Sequence, residues 1–228
     1  MKELNYIDLG LIDYKKAWDL QKEFFVLRYK KLIPDLLLLL EHPHTYTLGR
    51  TADTAHLIGS KEYLSENKIS VYDIDRGGDI TYHGPGQIVG YPIIDLNDWY
   101  KDTHKYLRGL EEVIIKTCAE YGITGERDPE HTGVWVGNRK IAAIGIKVSR
   151  WITMHGFAFN INSDLSYFGG IIPCGISDKG VTSMLEETGQ ETNISEVKSK
   201  LVRNFKEFFQ YDSVKIREKE ELLGHHTL

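Results

Sequence analysis

Cysteine residues and long apolar runs are both scarce in this sequence. Of its 228 residues only two are cysteines, too few for the disulfide scaffold of a small secreted protein. The leucine run at residues 36–40 is far shorter than the roughly 20 apolar residues of a membrane span, and it is typical of a buried strand. Residues 1–5 hold a single basic residue and no apolar signal segment. These absences favour a cytoplasmic protein in a reducing compartment.

Strong positive charge is also missing. The net charge is -5 and the isoelectric point is about 6.0, which argues against nucleic acid as the main partner. The charge is uneven, because residues 139–150 carry Arg139, Lys140, Lys147 and Arg150 without any acidic residue. This basic segment is either a docking site for an acidic partner or the solvated face of a hairpin.

Apolar periodicity and turn residues predict a chain of clustered strands with helices between the clusters. Residues 13–31 are predicted as a helix with Asp13 as N-cap and with Trp18, Phe25 and Tyr29 near helical spacing. We expect an α/β chain of the α+β type, with a mixed, largely antiparallel sheet covered by helices, in one domain spanning residues 1–228. Strands are predicted at 4–9, 36–41, 46–48, 71–75, 80–83, 87–94, 132–136, 139–148, 152–161 and 213–216, and further helices at 60–67, 103–121 and 193–210.

Cys174 lies in an unusual local sequence. Pro173 before it is incompatible with a helix interior or a central strand, and Gly175 after it allows tight-turn geometry. A constrained loop of this kind presents a sulfur atom as a reactive group would be presented, although many free cysteines are small buried apolar residues. The other cysteine, Cys118, falls in a predicted helix, where we expect it to be buried and inert.

Residues 76–87 form the most glycine-rich part of the chain. Four glycines in so short a span allow the backbone to approach a ligand closely, and the exposed amides suit a carbonyl oxygen or an anion. The segment matches neither the phosphate loop of nucleotide hydrolases nor the dinucleotide-binding fingerprint. Tight turns between strands are the alternative, but the interleaved Arg76, Tyr82 and His83 favour a binding loop.

Lys140 precedes a strand of unusually small residues. Ala142, Ala143 and Gly145 leave room for a long apolar ligand beside the strand, or the lysine is simply an edge residue exposed to solvent. A free cysteine thiol has a pKa of roughly 8.5, so a nearby ammonium group is needed to favour the thiolate. Lys140 is the best candidate for that partner, with His83 and His155 as alternatives. No cluster has zinc-ligand spacing, and no metal is expected.

Five segments in order resemble the lipoyl(octanoyl) transferase family, across roughly residues 5–210. Phe159 stands where the family commonly has leucine, and Asp79 stands where glutamine is also common. The matching segments are Glu41-His42-Pro43 with Tyr46-Thr47-Leu48-Gly49-Arg50, residues 76–87 with Gly90-Tyr91-Pro92, Arg139-Lys140-Ile141-Ala142-Ala143-Ile144-Gly145, His155-Gly156-Phe157-Ala158, and Pro173-Cys174-Gly175-Ile176.

The resemblance implies a fold shared with biotin and lipoate protein ligases, and a reaction that uses neither a metal nor ATP. It implies octanoyl transfer from octanoyl-acyl carrier protein to the target lysine of a lipoyl domain or of glycine-cleavage H protein, the first step of protein lipoylation. It makes Cys174 the nucleophile that carries the acyl thioester, and Lys140 the residue that lowers its pKa. The implied acyl-binding residues are Arg76, Gly77, Gly78, Asp79, Ile80, Thr81, Tyr82, His83, Ala143, Ile144, Gly145, Gly156, Phe157 and Ala158.

Three alternatives stay open at the level of sequence. An ATP-dependent lipoate ligase of the same fold would form an acyl-adenylate and would not need Cys174. A transferase of this fold could use another cysteine position or move octanoyl between protein domains. A non-catalytic module could simply bind acyl carrier or lipoyl domains.

Overall fold

The computed structural model describes residues 2–172 and 179–224, and within them a mixed sheet forms the centre of the molecule. The strands are β1 (Glu3–Leu11), β2 (Asp35–Glu41), β3 (Thr45–Leu48), β4 (Ser70–Asp73), β5 (Ile80–His83), β6 (Gln87–Ile93), β7 (Val134–Val136), β8 (Arg139–Ser149), β9 (Ile152–Asn160), β10 (Gly180–Val181) and β11 (Ser213–Ile216). The large sheet has the order β10-β8-β9-β6-β2-β1-β11, with β7 paired to β8, and the small sheet has the order β4-β3-β5.

The large sheet is antiparallel at its centre and has parallel pairs towards both edges. The central pairs β2–β6, β6–β9 and β8–β9 are antiparallel, whereas β1–β2, β1–β11 and β8–β10 are parallel. This arrangement confirms the predicted mixed sheet.

Helices cover both faces of the large sheet. They are α1 (Tyr14–Tyr29), α2 (Lys61–Glu66), α3 (Thr103–Ala119), α4 (Met184–Thr188), α5 (Ile194–Phe208) and α6 (Lys219–Leu223). Helices α3 and α5 pack together on one face, and α1 packs on β6 and β9. The predicted cap is present, since the Asp13 carboxylate accepts a hydrogen bond from the Lys16 amide. No helix in the described part of the chain is long and apolar enough to cross a membrane.

The leucine run of β2 is apolar throughout because both of its faces are covered. Leu37 and Leu39 belong to the core beneath α3 and α5, while Leu36, Leu38 and Leu40 belong to the core beneath α1. All five side chains are buried, as the sequence predicts for a strand inside a sheet with helices on both sides.

The buried face of α1 differs from the one that the aromatic spacing suggests. Ala17, Phe24 and Leu27 are buried, whereas Tyr29 is 46% exposed. Trp18 and Phe25 are only half-buried. The spacing of Trp18, Phe25 and Tyr29 therefore does not mark the buried face, which carries Phe24 together with Ala17 and Leu27.

Candidate active site

Small residues on two neighbouring strands line a cavity of about 300 Å³. In the β8–β9 ladder Ala143 lies opposite Ala158, and Gly145 lies opposite Gly156. These four positions line the cavity, and the Phe157 side chain lies over Gly90, where a Cβ atom would come within 2.2 Å of the ring. Small side chains at adjacent pairs leave room that larger residues would fill.

The glycine-rich loop after β4 forms another part of the cavity wall. The Gly77 amide donates to the Ile146 carbonyl at 2.9 Å, and the Arg76 guanidinium donates to the carbonyl and hydroxyl of Thr47 at 2.8 and 3.0 Å. A Cβ atom on Gly145 would lie 2.8 Å from Cδ of Arg76. Glycine at 145 therefore allows the loop to lie directly on β8.

The structure brings nearly all of the predicted acyl-binding residues to this one cavity. The residue that does not line it is Tyr82, whose buried ring stacks on Tyr167 at 5.5 Å between centroids and whose hydroxyl bonds to Nδ1 of His44 at 2.9 Å. Strand alternation in β5 directs Tyr82 away from the side shared by Thr81 and His83. The members of the predicted set that line the cavity are Arg76, Gly77, Gly78, Asp79, Ile80, Thr81, His83, Ala143, Ile144, Gly145, Gly156, Phe157 and Ala158.

Lys140 lies at one end of the cavity and is 9% exposed. Its Nζ atom lies 4.7 Å from the centroid of the Trp135 ring. The main chain of Lys140 pairs with Val181 of β10. The alternative of a solvent-exposed edge lysine is therefore excluded, because β7 and β10 flank the start of β8 and enclose the side chain.

Cys174 lies outside the described residues, as do Pro173 and Gly175. The described chain on either side of residues 173–178 borders the same region. On one side, Ile172 donates its amide to the His56 carbonyl at 2.8 Å, and on the other, Val181 pairs with Lys140. His56 in turn bonds to the Asp79 carboxylate at 2.5 Å. Both flanks therefore contact residues of, or next to, the cavity wall.

His83 is a buried, neutral side chain in the wall of the cavity. Its Nδ1 lies 2.9 Å from Oε1 of Gln87, and its Nε2 lies 3.4 Å from the Thr47 hydroxyl. Burial is the main cause that lowers the pKa of His83 well below its usual value, and the neighbouring His42 lowers it further. Because the His83 imidazole is neutral, it does not repel the Arg76 guanidinium, which bonds to the same residue, Thr47.

His155 occupies the other end of the cavity with a left-handed backbone conformation (φ 56°). Its Nε2 lies 2.8 Å from the Asp75 carboxylate, whose other oxygen binds Nζ of Lys147 at 2.5 Å. These two partners hold the pKa of Asp75 well below its ordinary value, with the His155 hydrogen bond as the largest cause. Burial lowers the pKa of His155, and Asp75 opposes that shift.

The basic segment 139–150 does not form a patch of unpaired charge. Arg139 pairs with Glu187 at 2.8 Å, Lys147 pairs with Asp75, and the Arg150 guanidinium lies 4.7 Å from the Tyr29 ring centroid. An acidic partner at this segment would therefore meet groups that already have intramolecular contacts.

Some cavity residues were not identified from the sequence. Tyr91 occurs only within a matching segment and Tyr14 only within the predicted helix 13–31, although both line the cavity. The Tyr14 ring stacks on His83, and the Tyr91 ring lies edge-on to His155. The remaining ones come from α3 and the loop before β7, where no local pattern marks them. These additional residues are Leu107, Glu130, His131 and Thr132.

The second cysteine is buried in the main core, as predicted. Cys118 is fully buried on α3, and burial raises the pKa of its thiol to about 12. Such a thiol is essentially never a thiolate at neutral pH. Within residues 2–172 and 179–224 no group of three or more His, Cys, Asp or Glu side chains is arranged to hold a metal ion.

A family model and curated relatives assign this chain to the same family. Residues 13–206 match the lipoyl protein ligase A/B catalytic domain. The chain is 51% identical over 226 residues to the octanoyltransferase of Christiangramia forsetii, covering 92% of this chain and 97% of the relative. It is 52% identical over 200 residues to the octanoyltransferase of Rubrobacter xylanophilus, covering 87% and 90%.

Solved structures confirm the predicted fold. Lipoate-protein ligase A bound with ATP superimposes with a TM-score of 0.76 at 16% identity, covering 96% of this chain and 92% of that one. The bipartite lipoate protein ligase of Thermoplasma acidophilum gives 0.72 at 16% identity, with coverage of 97% and 91%. Biotin protein ligase from Aquifex aeolicus gives 0.53 at 12% identity, with coverage of 92% and 70%.

Proposed function

Because the chain belongs to the lipoyl protein ligase A/B catalytic domain family and is an acyltransferase of its octanoyltransferase group, we propose that it uses Cys174 and Lys140 to move an octanoyl group between two proteins. The donor is the thioester of octanoyl-acyl carrier protein. The acceptor is the target lysine of a lipoyl domain or of glycine-cleavage H protein. The reaction is the first step of protein lipoylation and belongs to the cytoplasm.

One observation carries this proposal: a cavity of about 300 Å³ with small residues in its wall has Lys140 at one end. Ala143, Gly145, Gly156 and Ala158 offer apolar surface and space to a straight hydrocarbon chain. An octanoyl group lying along β8 would place its carbonyl carbon near Lys140. Burial of the hydrocarbon would contribute about 0.8 kcal/mol for each methylene removed from water.

The first half-reaction is thioester exchange. The Cys174 thiolate attacks the carbonyl carbon of the donor, and the tetrahedral intermediate collapses with loss of the carrier thiolate. The leaving thiolate takes a proton from the Lys140 ammonium, so Lys140 becomes a neutral amine. One thioester replaces another, and this step therefore requires no ATP.

The second half-reaction is transfer to the amine. As the acceptor lysine attacks the acyl-enzyme, neutral Lys140 takes a proton from the attacking nitrogen. The intermediate collapses to an amide and expels Cys174 as a thiolate. The ammonium and the thiolate are thereby restored together, and the cycle closes without any other acid or base.

A transfer assay tests this proposal against the ATP-dependent alternative. The protein is mixed with a lipoyl domain and either octanoyl-acyl carrier protein without ATP or free octanoate with ATP. Octanoylation of the domain from the carrier alone is the expected result. Octanoylation that requires ATP and free octanoate would establish a ligase instead. Carrier binding without turnover under either condition would establish a binding module.

A further inference from the structure

A second, much smaller recess opens beside Lys140. Its volume is about 20 Å³. A cavity needs roughly 10–15 Å³ to hold one water molecule, so the recess has room for one water-sized group such as a carbonyl oxygen. It shares Thr81, Lys140, Ala143 and Ala158 with the large cavity, and its own wall is completed by Gln87, Asn160, Phe168 and Val181.

The orientation of the two amide side chains in this recess is fixed by main-chain carbonyls, which can only accept hydrogen bonds. Nε2 of Gln87 donates to the Tyr82 carbonyl at 3.0 Å, and Nδ2 of Asn160 donates to the Thr182 carbonyl at 2.9 Å. Oδ1 of Asn160 must then accept from Nε2 of Gln87, at 2.9 Å. Oε1 of Gln87 faces His83, whose Nδ1 therefore carries the proton.

This assignment leaves Asn160 with one N–H to offer. A primary amide has two N–H donors, and among the described residues the Thr182 carbonyl is the acceptor for one of them. The oxygen of the same amide is already occupied by Gln87 and, at 3.5 Å, by the Ser163 hydroxyl. Asn160 is 4% exposed, so a second N–H at the recess has little access to bulk water. A buried donor of this kind suits an oxygen that acquires negative charge.

We propose that the small recess binds the reacting carbonyl oxygen and that Asn160 is a catalytic residue which donates to it. The inference rests on the proposed function. When the Cys174 sulfur bonds to the carbonyl carbon, the π electrons of the C=O bond move to oxygen. The second N–H of Asn160 stabilises that oxyanion until the carbonyl re-forms and the carrier thiolate leaves. The same oxygen returns to the recess in the second half-reaction.

The test compares Asn160→Ala and Asn160→Ser with a control, Ser163→Ala, which alters the same amide only at its oxygen. The rates of acylation by octanoyl-acyl carrier protein and of transfer to a lipoyl domain are measured in single turnovers. Loss of one oxyanion donor lowers such rates by about 10²–10³-fold, with little change in the Michaelis constant. The serine variant keeps a hydroxyl that can accept a hydrogen bond from Gln87. If the alanine variant is unfolded, the rates of the serine variant test the role of Asn160 instead.

Alkylation of Cys174 by iodoacetamide separates this role from a structural one, because alkylation passes through no oxyanion. Unchanged alkylation together with slow acylation and slow transfer is the expected result. A parallel loss of alkylation would mean that Asn160 has only a structural role, holding β10 in place, and would overturn the inference. Unchanged acylation would mean that Asn160 has neither a catalytic nor a structural role, and would overturn it as well. A wild-type protein that is not acylated at all would instead refute the proposed function.

Discussion

Gly145 lies directly opposite Gly156 in the β8–β9 ladder, so neither strand places a side chain over this part of the cavity floor. The Arg76 loop occupies the space above Gly145, with Cδ of Arg76 2.8 Å and the Gly77 carbonyl 3.0 Å from a hypothetical Cβ atom. On the other strand, a Cβ atom at Gly156 would lie 2.2 Å from the Gly90 carbonyl. The pair therefore sets both the depth of the cavity and the position of the loop that closes it.

Gly145→Ala is expected to weaken octanoyl binding by displacing this loop. Overpacking of this kind costs about 1–3 kcal/mol, which corresponds to a rise in the Michaelis constant of roughly 5- to 150-fold. Steady-state kinetics with octanoyl-acyl carrier protein measure the effect. Gly169→Ala is the matched control, because a Cβ atom there meets nothing within 4 Å. Equal kinetics for the two variants would show that the loop position does not matter.

Lys140→Ala is expected to raise the pH at which Cys174 is alkylated. An ammonium group nearby favours the thiolate, so its removal shifts the equilibrium towards the thiol and demands a higher pH for the same rate. Iodoacetamide alkylation rates between pH 6 and pH 10 give the profile. Lys147→Ala, on the same strand but paired with Asp75, serves as the comparison. A profile that is identical in wild type and Lys140→Ala would place the role of Lys140 elsewhere.

Stability is expected to fall as the pH drops below about 6.5. Burial lowers the pKa of His42 to about 4 and that of His83 well below 6.5, so the unfolded chain binds protons first as the pH falls. The stabilisation is present above pH 6.5 and is lost towards pH 4; for His42 it amounts to about 3 kcal/mol at 1.36 kcal/mol per pH unit.

Urea unfolding at intervals between pH 8 and pH 4 measures this dependence. The exposed His104 provides the control, since His104→Gln is expected to retain the full decline. A free energy of unfolding that stays constant between pH 6.5 and pH 4.5 would contradict the buried, neutral state of these two side chains.

Cys118→Ala is expected to leave turnover unchanged while lowering stability. The thiol is fully buried among core residues, where it is unreactive. Its removal leaves a small cavity that lowers the free energy of unfolding by roughly 1 kcal/mol. Activity assays and thermal unfolding, carried out on the same preparation, check both halves of the statement. A folded variant without transfer activity would assign Cys118 a role that its burial does not suggest.

The sequence predicted the elements well where local chemistry decides them. Asp13 caps α1 as expected, and the hairpin at Gly137 joins β7 to β8. Sequence patterns do not predict elements that form only through tertiary contacts. Strand β10 has only two residues, Gly180 and Val181, which is too short for any periodicity, yet its pairing with β8 encloses Lys140.

The candidate site shows the same division. Residues in contiguous segments, such as the loop from Arg76 to Thr81, could be identified because glycine and polar residues mark a close backbone approach. Gln87 and Asn160 meet only because β6 pairs with β9, and nothing in the sequence near Asn160 indicates that it lines the same recess as Lys140. Leu107 and His131 reach the cavity from separate elements for the same reason.

Intact mass spectrometry shows whether Cys174 carries the octanoyl group. The wild-type protein and Cys174→Ser are each mixed with octanoyl-acyl carrier protein in the absence of ATP. An octanoyl adduct is expected on the wild type and none on the variant. An adduct on both proteins would place the acyl group on another residue, and the absence of an adduct on either, with the donor intact, would contradict covalent transfer.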